Sequence, residues 1–106
     1  MAKYLVVASY SADGIKGVLS TGGTARRDAV SKMAAELGGK VESFYFAFGE
    51  GDAYVIIDLP DNVAAAAVGL AVAASGMAST RTIVLLTPDE IDRAAKTKVD
   101  YRAPGS

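Results

Sequence analysis

Val41-Glu42-Ser43-Phe44-Tyr45-Phe46-Ala47-Phe48 is followed by Gly49-Glu50-Gly51-Asp52 and then by Ala53-Tyr54-Val55-Ile56-Ile57-Asp58-Leu59. The two flanks are rich in aromatic and β-branched residues. The middle supplies two glycines able to take positive φ, so the segment reads as two strands joined by a tight turn. Alternation along the second strand separates Asp52, Tyr54, Ile56 and Asp58 from Ala53, Val55, Ile57 and Leu59. The second set is uniformly apolar and is assigned to the helix-covered side; the first set faces away.

Outward from this hairpin the remaining elements fall into place. Residues 3–10 form an uninterrupted β-branched and aromatic run, a first strand. Residues 11–37 are helical, interrupted at Gly22-Gly23: Ile15, Val18 and Leu19 recur before the break. Ala25, Ala29, Val30, Met33, Ala34 and Leu37 make one stripe after it, and Gly38-Gly39 closes the helix. On the other side, Pro60-Asp61 ends the third strand, and Asp61 or Asn62 caps a helix running to about Ala74. A fourth strand is predicted over residues 80–86. A short last helix follows, with Thr87 as cap, Pro88 at the first helical position and Glu90 completing a capping box. Residues 97–106 read as an extended tail. The order β-α-β-β-α-β plus a terminal helix is α+β, a ferredoxin-like sandwich with a four-stranded antiparallel sheet in one domain over residues 1–106. Both crossover helices then lie on one sheet face and leave the other bare.

Composition narrows the chemistry. Half the 106 residues are apolar, 22% are charged and the formal net charge is −1, so the chain is globular and carries no field that attracts nucleic acid or an anionic membrane. There is no cysteine and no histidine, which leaves carboxylates, Tyr, Lys and Arg for proton chemistry. No metal site and no cofactor are read. The apolar run near the N-terminus is too short for a signal-peptide core, and the uncharged stretch 62–80 reads as a soluble helix rather than a membrane span. The cytoplasm is the expected location.

That uncharged stretch has a second consequence. Val63 to Ala74 carries no charge on any side, and a helix apolar all round is buried all round. The expected partner is another copy, in a dimer, trimer or larger ring; the alternative is that the terminal helix and tail of the same chain cover it.

Three places could carry chemistry. Gly22-Gly23-Thr24-Ala25-Arg26-Arg27 places glycines and a Thr cap at a helix start, where Gly22, Gly23, Thr24, Arg26 and Arg27 could hold an anion. The bland reading is a helix kink whose arginines pair locally, for instance with Asp28. Asp52 with Tyr54 and Tyr45 could form a carboxylate–phenol pair on the bare face, or could be turn chemistry and aromatic packing. Tyr101-Arg102-Ala103-Pro104-Gly105 suits docking across an interface, against simple terminal fraying.

In its ordered set of short motifs the chain resembles the GYD-domain family of small bacterial and archaeal proteins. The marks are Ala8-Ser9-Tyr10-Ser11, Gly22-Gly23-Thr24-Ala25-Arg26, Leu37-Gly38-Gly39-Lys40, Phe44-Tyr45-Phe46-Ala47-Phe48-Gly49, Asp52-Ala53-Tyr54 and the tail Tyr101-Arg102-Ala103-Pro104-Gly105. The family's namesake Gly-Tyr-Asp element falls in the hairpin, where Gly51 stands in place of the tyrosine and the acid is kept as Asp52. The resemblance implies a ferredoxin-like fold of the kind used in dimeric α/β barrels and related oligomers, and brings no activity with it. The expected function is a homo-oligomeric binding or assembly module that holds a small anionic or aromatic molecule between subunits. The alternative is a cofactor-independent isomerase or oxygenase of the dimeric α/β-barrel type, using Asp52 and a tyrosine. The missing histidine and cysteine weigh toward the binding module.

Overall fold

The computed structural model describes residues 1–105; Ser106, the last residue of the expected tail, lies outside them. The elements run β1 (Ala2–Tyr10), α1 (Ala12–Thr21), α2 (Gly23–Glu36), β2 (Lys40–Phe46), β3 (Ala53–Leu59), α3 (Asn62–Ala74), β4 (Ala78–Leu85) and α4 (Pro88–Lys96). The strands form one antiparallel sheet in the order β2-β3-β1-β4. The architecture is the ferredoxin-like α+β sandwich that the sequence predicts. Among the described residues no helix is long and apolar enough to cross a membrane.

The two-residue period of β3 sets the layers. Ala53, Val55, Ile57 and Leu59 are buried, while the residues between them are half-buried. Val55, Ile57 and Leu59 join Tyr4 of β1, Ala34 of α2, and Ala65 and Val68 of α3 in one core, so α2 and α3 share a sheet face. The Tyr4 hydroxyl, enclosed there, donates to Asn62 Oδ1 at 2.6 Å, which removes the cost of burying it.

The helix break is sharper than expected. Gly22, at φ +87°, alone separates α1 from α2 and takes the cap position that the sequence reading gave to Thr24, which lies inside the first turn. A Cβ at Gly23 would stand 2.7 Å from the Phe46 ring, so the second glycine serves a close approach to β2. β4 begins at Ala78, earlier than expected, because Ser79 and Ala78 continue the ladder against Ser9 and Tyr10. β2 ends at Phe46, and Phe48 is fully exposed in the loop beyond it.

The face away from the helices is only partly bare. Lys3 of β1 reaches Glu42 and Asp58, each at 2.9 Å, and these hydrogen bonds raise its pKa, Glu42 contributing most. At the other end the hairpin loop folds over Val7, which is 3% exposed although it points from the helices. Gly51, at φ +79°, makes this possible: a Cβ there would lie 2.5 Å from Val7 Cγ1.

α4 starts as its sequence predicts. Thr87 Oγ1 accepts from the Glu90 N–H at 3.1 Å, and Glu90 Oε1 accepts from the Thr87 N–H at 2.9 Å. The Thr87 backbone bond is the main reason that the Glu90 carboxyl is held below its ordinary pKa. The stabilisation it gives is complete above the ordinary value and disappears as pH falls through the lowered one. Amide exchange should therefore show the first turn of α4 losing protection on acidification through the carboxylate range. Glu90→Gln should remove that pH dependence; a turn equally protected at every pH would mean that the box adds nothing.

Candidate functional site

Side-chain size divides the sheet surface beneath the helices. At one end stand Tyr4, Ile57 and Leu59, which fill the core. Toward the other end the helix-facing positions Ala8, Ala53, Ala78 and Thr80 are small, and they share that side with Tyr10 and Phe46. Helices held off the sheet by the large side chains leave space above the small ones.

Beside Tyr10 and Ala78 opens a cleft of about 450 Å³, with α1 on one wall and the end of α3 on the other. Gly17 and Val18 come from α1, Ala71 and Val72 from α3, and Tyr10 and Met77 from the sheet end. A narrower hollow of about 60 Å³ continues beneath, toward Val30, Met33 and Phe44. Arg26 of α2 lines both, together with Tyr10, Val72 and Ala78. The volume is in the range of sites for small organic molecules, and the lining is apolar with few polar groups.

Arg26 is the unusual member. Its Nε is enclosed and finds no acceptor among the described residues. A buried guanidinium donor left unmatched costs about 1–3 kcal/mol, so its retention calls for an explanation. Its surroundings do not compensate: α2 has no acidic residue in its first turn and no side-chain cap, so a cation sits where the helix dipole favours an anion. Asp13, at the rim of the cleft, lies 3.9 Å from Lys16 and is largely exposed.

Of the five residues expected to hold an anion, only Arg26 reaches this cleft. Arg27 turns to Asp28, with Nε and Nη2 at 3.3 and 3.2 Å from Oδ1. Gly22 and Gly23 make the break and admit Phe46, and Thr24 is exposed on the helix. Tyr10, Val18 and Val72 were not singled out as site residues. Helical spacing holds the missing signal for Arg26: it lies four residues before Val30 and seven before Met33, on the core-facing stripe. Strand parity does the same for Tyr10, two residues on from Ala8.

The second candidate cluster is assembled differently. Tyr45 and Tyr54 pair directly across β2 and β3, on the face away from the helices. The Tyr54 hydroxyl donates to the Glu50 carbonyl, and Asp52 Oδ2 accepts the Tyr10 N–H at 2.8 Å. The Asp52 N–H donates to Ala8 O at 2.8 Å, and its carbonyl accepts from the Ala47 N–H at 2.9 Å. Asp52 thus fastens the hairpin loop to β1, and Tyr54 fastens it to β3.

The family model of the GYD domain matches residues 4–95. The chain is a GYD-domain protein. No curated protein and no solved structure matches it. The matched span of this GYD domain holds every residue of the cleft and stops within α4, so the tail from residue 96 lies beyond it.

Proposed function

We propose that this GYD domain is a binding module for a small organic anion, a carboxylate on an apolar or aromatic body, held between α1–α2 and α3. The observation that carries this reading is the enclosed, unmatched Nε of Arg26 in a mainly apolar cleft, whose one acidic residue, Asp13, is largely exposed. A carboxylate would give the guanidinium the charge-assisted, fork-shaped partner it lacks, and the alanine-floored hollow would take the apolar body. The Tyr10 ring offers a flat surface beside both. Asp52 and Tyr54, the pair an enzyme would use, are engaged with backbone groups, which favours binding over catalysis. The ligand position so proposed is within one copy, not between subunits as the sequence reading expects, and not at the tyrosine-bearing face.

Matched pairs test this directly. Benzoate and hexanoate should bind the protein more tightly than benzamide and hexanamide by roughly 10- to 150-fold, the worth of a hydrogen bond to a charged group. Added salt should narrow the difference. Equal affinity for acid and amide in calorimetric titration would remove Arg26 from the site and the reading with it.

Gly17 gives an independent check. A Cβ placed there meets nothing within 4 Å, and the residue lines the cleft from α1. Gly17→Ala should stabilise the protein by about 1 kcal/mol through helix propensity and leave binding nearly unchanged. Gly17→Leu should keep the fold and exclude the ligand by filling the opening. Binding unaffected by the leucine would place the ligand elsewhere.

A further inference from the structure

α3 turns no charge toward solvent along its length, and its Val63 and Leu70 are 77% and 72% exposed. Beside it, over the edge strand β4, runs an open groove of about 560 Å³. Ala66, Gly69, Leu70, Ala73, Thr82 and Val84 form its surface, and among the described residues no charged side chain lines it. The alternative cover, by the terminal helix and tail of the same chain, is not in place. Every residue from 86 to 105 except Glu90 is exposed, and the molecule measures 57 × 32 × 24 Å. Its radius of gyration is 16.9 Å, against roughly 13 Å for a compact chain of this length. Only Leu86 and Thr87 link β4 to α4, and the capping box fixes how α4 begins, so the C-terminal segment stands out as an arm.

The arm has two sides. At 100° per residue, Pro88, Ile91, Ala94 and Ala95 fall within an arc of about 120°, opposite Asp89, Asp92, Arg93 and Lys96. Ile91 is 51% exposed on that apolar side. An uncharged groove accepts an uncharged helix face and rejects a charged one, and α4 offers the first while keeping its charges at the rim. We infer that α4 of one copy docks in the α3–β4 groove of a second copy, the arms being exchanged about a twofold axis. A second copy is the occupant because groove and arm belong to the same chain and exchange covers both at once. The size also fits: each copy gives an arm of about twenty residues and the groove that receives its partner's, within the roughly 20–30 residues a side of a stable interface.

The full chain supplies its own test, since it has no cysteine. Leu70→Cys and Ile91→Cys variants, refolded together with a short bismaleimide, should give linked pairs containing one of each. The parent should sediment as a dimer at micromolar concentration. Ile91→Asp, a change at an exposed position that leaves the single copy intact, should weaken the dimer by roughly 100-fold or more. Three results would each overturn the proposal. The parent could sediment as a monomer, or a chain carrying both Leu70→Cys and Ile91→Cys could link only within itself, the arm folding home. A dimer could also survive both Ile91→Asp and removal of residues 86–106, which would give the groove to another occupant.

Discussion

Arg26→Met should remove the preference for a carboxylate and at the same time leave the protein as stable as the parent or more so. The methionine keeps most of the apolar stem that packs beside Val30 and Met33 and removes the guanidinium. In the unliganded protein it also removes an enclosed donor with no acceptor, a relief of about 1 kcal/mol or more. The melting temperature should then rise by about 4–8 °C per kcal/mol gained. Affinity for benzoate should fall by roughly 10- to 150-fold to the level of benzamide. A residue kept for structure would show the reverse pattern, with stability lost and binding lost only through unfolding. Thermal melts with and without benzoate separate the two: a less stable variant that still gains stability from benzoate would contradict the assignment.

Asp52→Ala should be the most destabilising single change at a polar position in the hairpin. It removes a charged acceptor and leaves the Tyr10 N–H unmatched where β1 meets the loop, at a cost of about 2–3 kcal/mol. Asp52→Asn keeps an acceptor oxygen but not the charge, and should cost about 1 kcal/mol. The loop also covers Val7, so the alanine variant should expose that side chain and bind hydrophobic dyes at temperatures where the parent does not. The graded loss identifies Asp52 as the clasp between loop and sheet. An Asn variant more stable than the parent would instead mark a carboxylate kept at a cost, as a catalytic base is, and would revive the isomerase or oxygenase reading.

Local chemistry made most of the architecture legible. Alternation in residues 53–59 assigned both faces of β3, and Thr87, Pro88 and Glu90 announced the start of α4, because each signal is carried by neighbours in sequence. The glycine pair at 22–23 marked the break, but not the division of labour between a backbone position and a ring contact, which depends on where Phe46 lies. The cleft was not legible in the same way. Its walls come from α1 and the end of α3, and the Ala8, Ala53 and Ala78 positions of the hollow beneath come from three strands, so both depend on contacts distant in sequence. Arg26 and Arg27 look alike in the sequence. One helical step of 100° sends the first to the cleft and the second to Asp28. The cover over Val7 likewise rests on a long-range contact of Gly51.

The central claim, that Arg26 is the charge partner of a bound organic anion, is tested most directly at its own nitrogen. In ¹⁵N-labelled protein the Nε–H groups of Arg26, Arg27, Arg81, Arg93 and Arg102 give separate side-chain signals, and Arg26→Met assigns the one that matters. On titration with benzoate, the Arg26 Nε–H signal should move downfield, following a single saturable curve. The other four should stay in place, and benzamide should leave all five unchanged. An Arg26 signal unmoved at saturating benzoate, or five signals drifting together without saturation, would contradict the account.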